Sequence, residues 1–253
     1  MNQEYRLIWF QHFHKAAGTT VFEYAKKNGD SFWPNNMNGN PIDENQLCLE
    51  LWNYSNDELT SFIDSCEAKG VTFIATEWGV PNVEHLSHDS RVCVVTCLRK
   101  PRARFVSNFY YDLYGGYTQA KTLYEYESSR GRTITMYNYY CRMLSGKNNS
   151  EHDVTEEDFL KAQLVLDKFD CCTVLEQGGL VSLAEYLQWQ VEKLHINKTS
   201  FSIKKLMKHV LKGRFKTSFY YLTYPKKEPD DQFKARFDSA NKWDSLLYEG
   251  YLK

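Results

Sequence analysis

The chain has 253 residues, 42% of them hydrophobic and 25% charged, and a formal net charge of −1. That length supports a good core, no internal repeat or low-complexity linker divides it, and we read residues 1–253 as one domain. The near-neutral balance argues against nucleic-acid binding, which normally requires a strong basic excess, and the longest apolar runs fall far short of the ~20 residues of a membrane-spanning helix.

Leu7, Ile8, Trp9 and Phe10 form a short apolar run rich in strand formers, as in a strand buried on both faces. Gly18, Thr19 and Thr20 open a segment with Val21, Phe22 and Ala25 at helical spacing, and Asn28-Gly29 suits its C-terminus. A strand, a tight turn and a helix N-terminus therefore follow each other within a few residues. Such a turn aims unpaired N–H groups and the positive end of the helix dipole at one point, where a phosphate or sulfate can sit. Lys15 adds a full charge there. The order differs from a nucleotide-binding P-loop, because Lys15 precedes Gly18 instead of following the last glycine.

Residues 30–46 read as a polar loop. Ser55 and Glu58 form a capping-box pattern for a helix reaching about Lys69, and Val71–Thr76 reads as a second strand ending on Glu77-Trp78-Gly79. His85 and His88 fall in a polar loop. Val92–Leu98 is the most strand-like run of all, with Arg99 at its carboxyl end and Pro101 placed for the first turn of a helix. Arg104 then shares a helix face with Ser107 and Asn108. An arginine at a strand end and a serine further along the next helix can converge on one phosphate. Thr155 and Asp158 cap a helix through Leu166, Phe169–Leu175 reads as a strand, and Ser182–Leu194 as an amphipathic helix. Lys212–Ser218 reads as a basic loop. Alternation of strands and helices predicts an α/β fold, a mostly parallel sheet covered on both faces, with Lys15, Glu77 and Arg99 all at strand carboxyl ends.

Two of these stretches carry a resemblance. Phe10-x-His12-x-x-Lys15-Ala16-Ala17-Gly18-Thr19-Thr20 resembles the 5′-phosphosulfate loop F-x-H-x-P-K-T-G-G-T-[ST] of sulfotransferases, nearest to the carbohydrate enzymes of heparan sulfate 2-O and 6-O type. His14 stands in place of the proline, and Ala16-Ala17 in place of Thr-Gly. Leu98–Tyr111 resembles the 3′-phosphate motif L-R-[DN]-P-x-x-R-[FY]-x-S-x-[FY], departing at Lys100. Phe169-Asp170, Leu175-Glu176, Ser182-Leu183 and Asn241-x-x-Asp244-x-x-Leu247-Tyr248 are similar more loosely.

The resemblance implies a P-loop-NTPase-like sulfotransferase fold and 3′-phosphoadenosine 5′-phosphosulfate (PAPS) as the sulfuryl donor. It assigns Lys15, Ala17, Gly18, Thr19 and Thr20 to the 5′-phosphosulfate, and Arg99 and Ser107 to the 3′-phosphate. Lys15 also becomes catalytic, Glu77 the general base with His12 as the next candidate, and no metal is needed. The acceptor is then a carbohydrate hydroxyl or a small alcohol, phenol or amine. A module that binds PAPS or its product without turnover, and a phosphoryl-transfer enzyme, are the competing readings. The seven cysteines, an odd count without a secretory signal, fit reduced thiols and a cytoplasmic setting, with Cys93 and Cys97 as core residues. The glycosylation patterns at Asn53, Asn148 and Asn197 carry meaning only for a secreted chain, and a Golgi enzyme represented by its lumenal domain would read the same way.

Overall fold

Leu7–Gln11 forms the first strand, β1, and all of it is buried. Its side chains alternate between two cores, Leu7 and Trp9 entering one and Ile8 and Phe10 the other, so the run is continuously apolar because both faces are covered. The computed structural model describes residues 5–129, 133–148, 152–190 and 215–252. Helix α1 (Gly18–Asn28) follows β1 and stops at Gly29, whose φ of 91° admits the left-handed turn. The polar loop after it contains a small antiparallel pair, β2 (Asn36–Met37) with β3 (Asn40–Pro41).

The expected capping box at Ser55 and Glu58 is present, and it starts α2 (Asn56–Ala68). Strand β4 (Phe73–Thr76) is followed by a short helix, α3 (Val83–Ser87), where the sequence reads as loop. Asn82 explains the difference: its side chain accepts from the His85 N–H and caps a single turn. Next come β5 (Val92–Leu98), α4 (Pro101–Gly115) with Pro101 in its first turn, α5 (Leu123–Ser128) and α6 (Tyr139–Ser145). Thr155 and Asp158 cap α7 (Glu156–Leu166), which leads into β6 (Cys171–Val174).

Helix α8 (Gly179–Tyr186) begins before Ser182 and ends well before Leu194. Gly178, at φ 76°, turns the chain into α8 after a single 3-10 turn (Leu175–Gln177) that follows β6, and a side chain on Gly179 would collide with the Val174 backbone. At its other end Gln188 adopts φ 59° and Trp189 folds back into the core. Residues 191–194 and 212–214, parts of the expected helix and basic loop, lie outside the described residues; Phe215–Ser218 belong to helix α9 (Phe215–Thr223), not a loop. Helices α10 (Asp231–Ala240) and α11 (Lys242–Glu249) complete the chain.

The central sheet has four parallel strands in the order β4, β1, β5, β6. Trp9 pairs with Ile74 on one side and Val94 on the other. One face is covered by α2, α6, α7 and α11, through residues such as Phe62, Tyr140, Leu166 and Leu247. The other is covered by α1 and α8, through Val21, Ala25, Leu180 and Leu183. This is the α/β architecture expected, with helices on both faces. A separate aromatic cluster joins Phe105 and Phe109 of α4 to Phe233 and Phe237 of α10. Among the described residues no helix is long and apolar enough to cross a membrane.

Topology opens a crevice at one edge of the sheet. From β1 the chain runs out to β4 on one side, then returns past β1 to β5 on the other. The connections leaving β1 and β5 therefore diverge, and a crevice opens at their carboxyl ends.

Helix α6 is locked from a distance. The Asp244 carboxylate accepts from the N–H groups of Tyr140 (3.0 Å) and Cys141 (2.9 Å), and Asn241 Oδ1 accepts from Asn138 N–H at 2.8 Å. Asn138 Oδ1 returns the interaction by accepting from Trp243 and Asp244 at 3.1 and 3.2 Å. The two helix starts thus cap each other. Asp244→Ala strands two buried N–H groups, and urea denaturation is expected to show a loss of roughly 3 kcal/mol.

Candidate functional site

The turn from β1 to α1 is built from left-handed residues: Lys15 and Ala17 have φ of 65° and 69°. Ala17 is the N-cap of α1 but offers no side-chain oxygen. Its carbonyl accepts from Thr20 and Val21, while by helix geometry the N–H groups of Gly18 and Thr19 have no acceptor inside the helix. Gly18 is required for a second reason: a Cβ there would collide with the ring of His12. The imidazole edge bearing Nε2 therefore lies against the start of α1.

The Lys15 ammonium lies 4.1 Å from the centroid of the Tyr111 ring. Burial first, and then the Arg99 charge, pull its pKa below the ordinary lysine value. Arg99 reaches across from the end of β5, and its Nη1 donates to the Lys15 carbonyl at 3.1 Å. Its Nε is buried and has no hydrogen-bond partner among the described residues. The backbone of Arg99 is held on both sides by one hydroxyl: Tyr140 Oη accepts from Arg99 N–H (3.0 Å) and donates to its carbonyl (2.8 Å).

A cleft of about 700 Å³ opens at this point. It brings together the residues assigned by the resemblance: His12, Lys15, Ala17, Gly18, Thr19, Thr20, Glu77, Arg99 and Ser107. A second lobe of about 640 Å³ shares Arg99 and Ser107 with the cleft and adds Lys100, Arg102, Lys226 and Lys227. Arg102 is ion-paired to Asp238. Arg104, expected on the face of Ser107, turns instead into the core, its guanidinium 4.0 Å from the Tyr139 ring and donating to Ile134 O.

Glu77, just past β4, contacts two histidines. Its Oε1 lies 2.6 Å from His14 Nδ1, and its Oε2 lies 3.4 Å from His12 Nδ1. Desolvation beside Trp78 would raise the carboxyl pKa, and burial does push in that direction. The hydrogen bonds and charge of His12 and His14 outweigh it, however, and hold the group well below the usual carboxylate range. A carboxylate held this low, with both oxygens facing imidazole nitrogens, does not have the raised pKa that would suit a general base. His12, with Nδ1 toward Glu77 and its ring stacked on Phe10 at 5.9 Å, is left with Nε2 beside Gly18.

The sequence reading missed several contributors. His14 figures there only as a departure from a motif, yet it is buried, and its ring nitrogens lie 2.6 Å from Glu77 Oε1 and 2.9 Å from Asn108 Oδ1. Tyr139 and Tyr140 pin the two site loops. Trp78, Tyr111 and Tyr117, which line the cleft, are 44%, 47% and 65% exposed. The tyrosine-rich stretch from 110 to 140 was the visible signal, without an indication of which rings reach the site. Among the described residues no group of three or more His, Cys, Asp or Glu side chains could hold a metal ion. No family model matches the chain, and no curated protein is significantly similar to it.

Because the folded-state pKa of Glu77 lies below its ordinary value of 4.5, its contribution to stability is complete above that pH and is lost as pH falls through the folded-state value. The melting temperature of the wild type should therefore exceed that of Glu77→Gln most at neutral pH, and the gap should narrow steadily as a pH series descends below 4.5. A gap that widens on acidification would reverse the sign assigned to this carboxylate.

Proposed function

We propose that the chain is a sulfotransferase of P-loop-NTPase-like fold that moves a sulfuryl group from PAPS to an acceptor hydroxyl. The observation that carries this reading is the convergence of two anion-binding elements in one crevice, with Arg99 touching the carbonyl of Lys15. A mononucleotide with anionic groups at both the 5′ and 3′ positions of its ribose would meet Lys15 and the Gly18 and Thr19 N–H groups at one end. At the other it would meet Arg99 and Ser107, with the basic second lobe beyond. The orphaned Arg99 Nε supports the fit, since a buried guanidinium donor without a partner is costly unless a ligand supplies one. The unusual Ala16-Ala17 is compatible as well, because Ala16 is fully buried and the turn offers backbone donors instead of side chains.

When bound, the donor would supply an activated sulfuryl group whose departure leaves negative charge on a phosphate oxygen. Lys15 and the α1 N–H groups stand ready to stabilise that charge. His12 is the better general base of the two candidates, since Nε2 adjoins the start of α1 while Glu77 holds Nδ1. The exposed rings of Trp78, Tyr111 and Tyr117 suit an acceptor with a flat face, a sugar ring or a small hydroxylated ring compound. The reversed order of Lys15 and Gly18 disfavours ATP chemistry. A binding module without turnover would share the donor contacts and lack transfer.

Three measurements test the reading. The 3′-phosphorylated nucleotide should raise the melting temperature well above any effect of ATP or ADP at equal concentration; an equal response to ATP would favour phosphoryl transfer. In a labelled-sulfate transfer assay Lys15→Ala should lose about 10²- to 10³-fold in kcat while keeping its fold. Arg99→Ala should bind the donor roughly 10- to 100-fold more weakly, as expected for losing hydrogen bonds to a charged group. Donor binding with no transfer to any sugar, alcohol, phenol or amine would leave the non-catalytic module.

A further inference from the structure

We propose that His14 is a positioning residue: gripped between Asn108 and Glu77, it fixes the carboxylate that holds the His12 ring with Nε2 toward the start of α1. The direction of each hydrogen bond follows from its neighbour. Tyr126 Oη donates to Asp112 Oδ2 at 2.5 Å, so toward Asn108 it is an acceptor, taking the Nδ2 proton at 2.6 Å. That orients the Asn108 carboxamide with Oδ1 facing His14 Nε2, 2.9 Å away. On the other side of the ring Nδ1 faces Glu77 Oε1 at 2.6 Å. Both ring nitrogens therefore meet oxygen acceptors, and neither the imidazole nor the carboxamide can flip without breaking two bonds.

The backbone adds a third anchor, since His14 N–H donates to Tyr139 Oη at 3.0 Å. The rings of Trp78 and Tyr111 flank the imidazole, each with its centroid 5.9 Å away. With Oε1 of Glu77 engaged at 2.6 Å, only Oε2 is turned toward His12, at a looser 3.4 Å. The position of His12 thus depends on a chain that starts at Asp112 and runs through groups that touch no reacting atom. A residue that merely filled this volume would not need acceptors on both nitrogens.

The kinetic arm of the test rests on the sulfuryl-transfer reading, and the spectroscopic arm is independent of it. The full chain labelled with nitrogen-15 histidine, recorded at mildly alkaline pH, should show His12 in one tautomer, protonated at Nδ1. In His14→Phe, which keeps a planar ring without hydrogen bonds, His12 should become a tautomer mixture, and His14→Gln, which keeps a donor for Glu77, should restore most of the wild-type signal. Tyr126→Phe breaks the chain two links away and should shift the His14 ring signals, so it decides the question if His14→Phe does not fold. In the transfer assay His14→Phe should lower kcat by about tenfold to a hundredfold, the cost of a misplaced reacting group. Its KM for the donor should stay within about twofold, as expected when only transition-state interactions are lost. His12 spectra unchanged in folded His14→Phe, His14 spectra unchanged in Tyr126→Phe, or a raised KM with kcat intact would each overturn the proposal. Absence of transfer in the wild type would remove the sulfuryl-transfer reading and leave the spectra to decide the role of His14.

Discussion

One hydroxyl sets the site. Tyr140 Oη binds both the N–H and the carbonyl of Arg99, so the residue that leaves β5 has no freedom to swing as a unit. Its neighbour Tyr139 holds the backbone of His14 on the other loop, and Phe13 packs edge-on against both rings, at 6.2 and 5.0 Å. Two adjacent side chains of α6 therefore fix the separation of the two turns that line the cleft. Strand ends alone would not do this, because the residues past a sheet have lost their ladder partners.

The cleft is electrostatically unfinished. Burial and the neighbouring Arg99 charge both make Lys15 costly to charge, and the nearby carboxylates offset this only in part because they have other partners as well. Glu77 is engaged with two histidines, and Glu176 accepts from Lys100 N–H at 3.1 Å, with Arg99 Nε no nearer than 3.9 Å. An anion entering between them would relieve the repulsion and supply the acceptors that the Gly18 and Thr19 N–H groups lack inside α1 and that Arg99 Nε lacks among the described residues. This is the usual physics of sites at helix N-termini, strengthened here by an N-cap residue that cannot satisfy the helix itself.

The sheet and its punctuation were legible because they depend on local rules. The apolar run from Val92 to Leu98, the capping pairs Ser55/Glu58 and Thr155/Asp158, and Gly29 after α1 all read directly from residue type and spacing. So did the cluster of Lys15, Glu77 and Arg99, since parallel strands deliver their carboxyl ends to one edge. The charge state of Glu77 was not legible, because its partners His12 and His14 lie over sixty residues away and reverse the sign that burial alone would give. The work of Asn241 and Asp244 was equally hidden: the family resemblance implied a closing helix there, while their side chains serve the start of another one.

That last arrangement bears on how the molecule comes together. The bond from Asp244 to Tyr140 spans 104 residues, and without it the start of α6, which carries both site tyrosines, has unpaired donors in an apolar layer. During synthesis the strands, the glycine turn and the arginine are all made before α11 is. The crevice is thus expected to mature as a late step of folding, after a long loop has closed, instead of growing outward from the sheet.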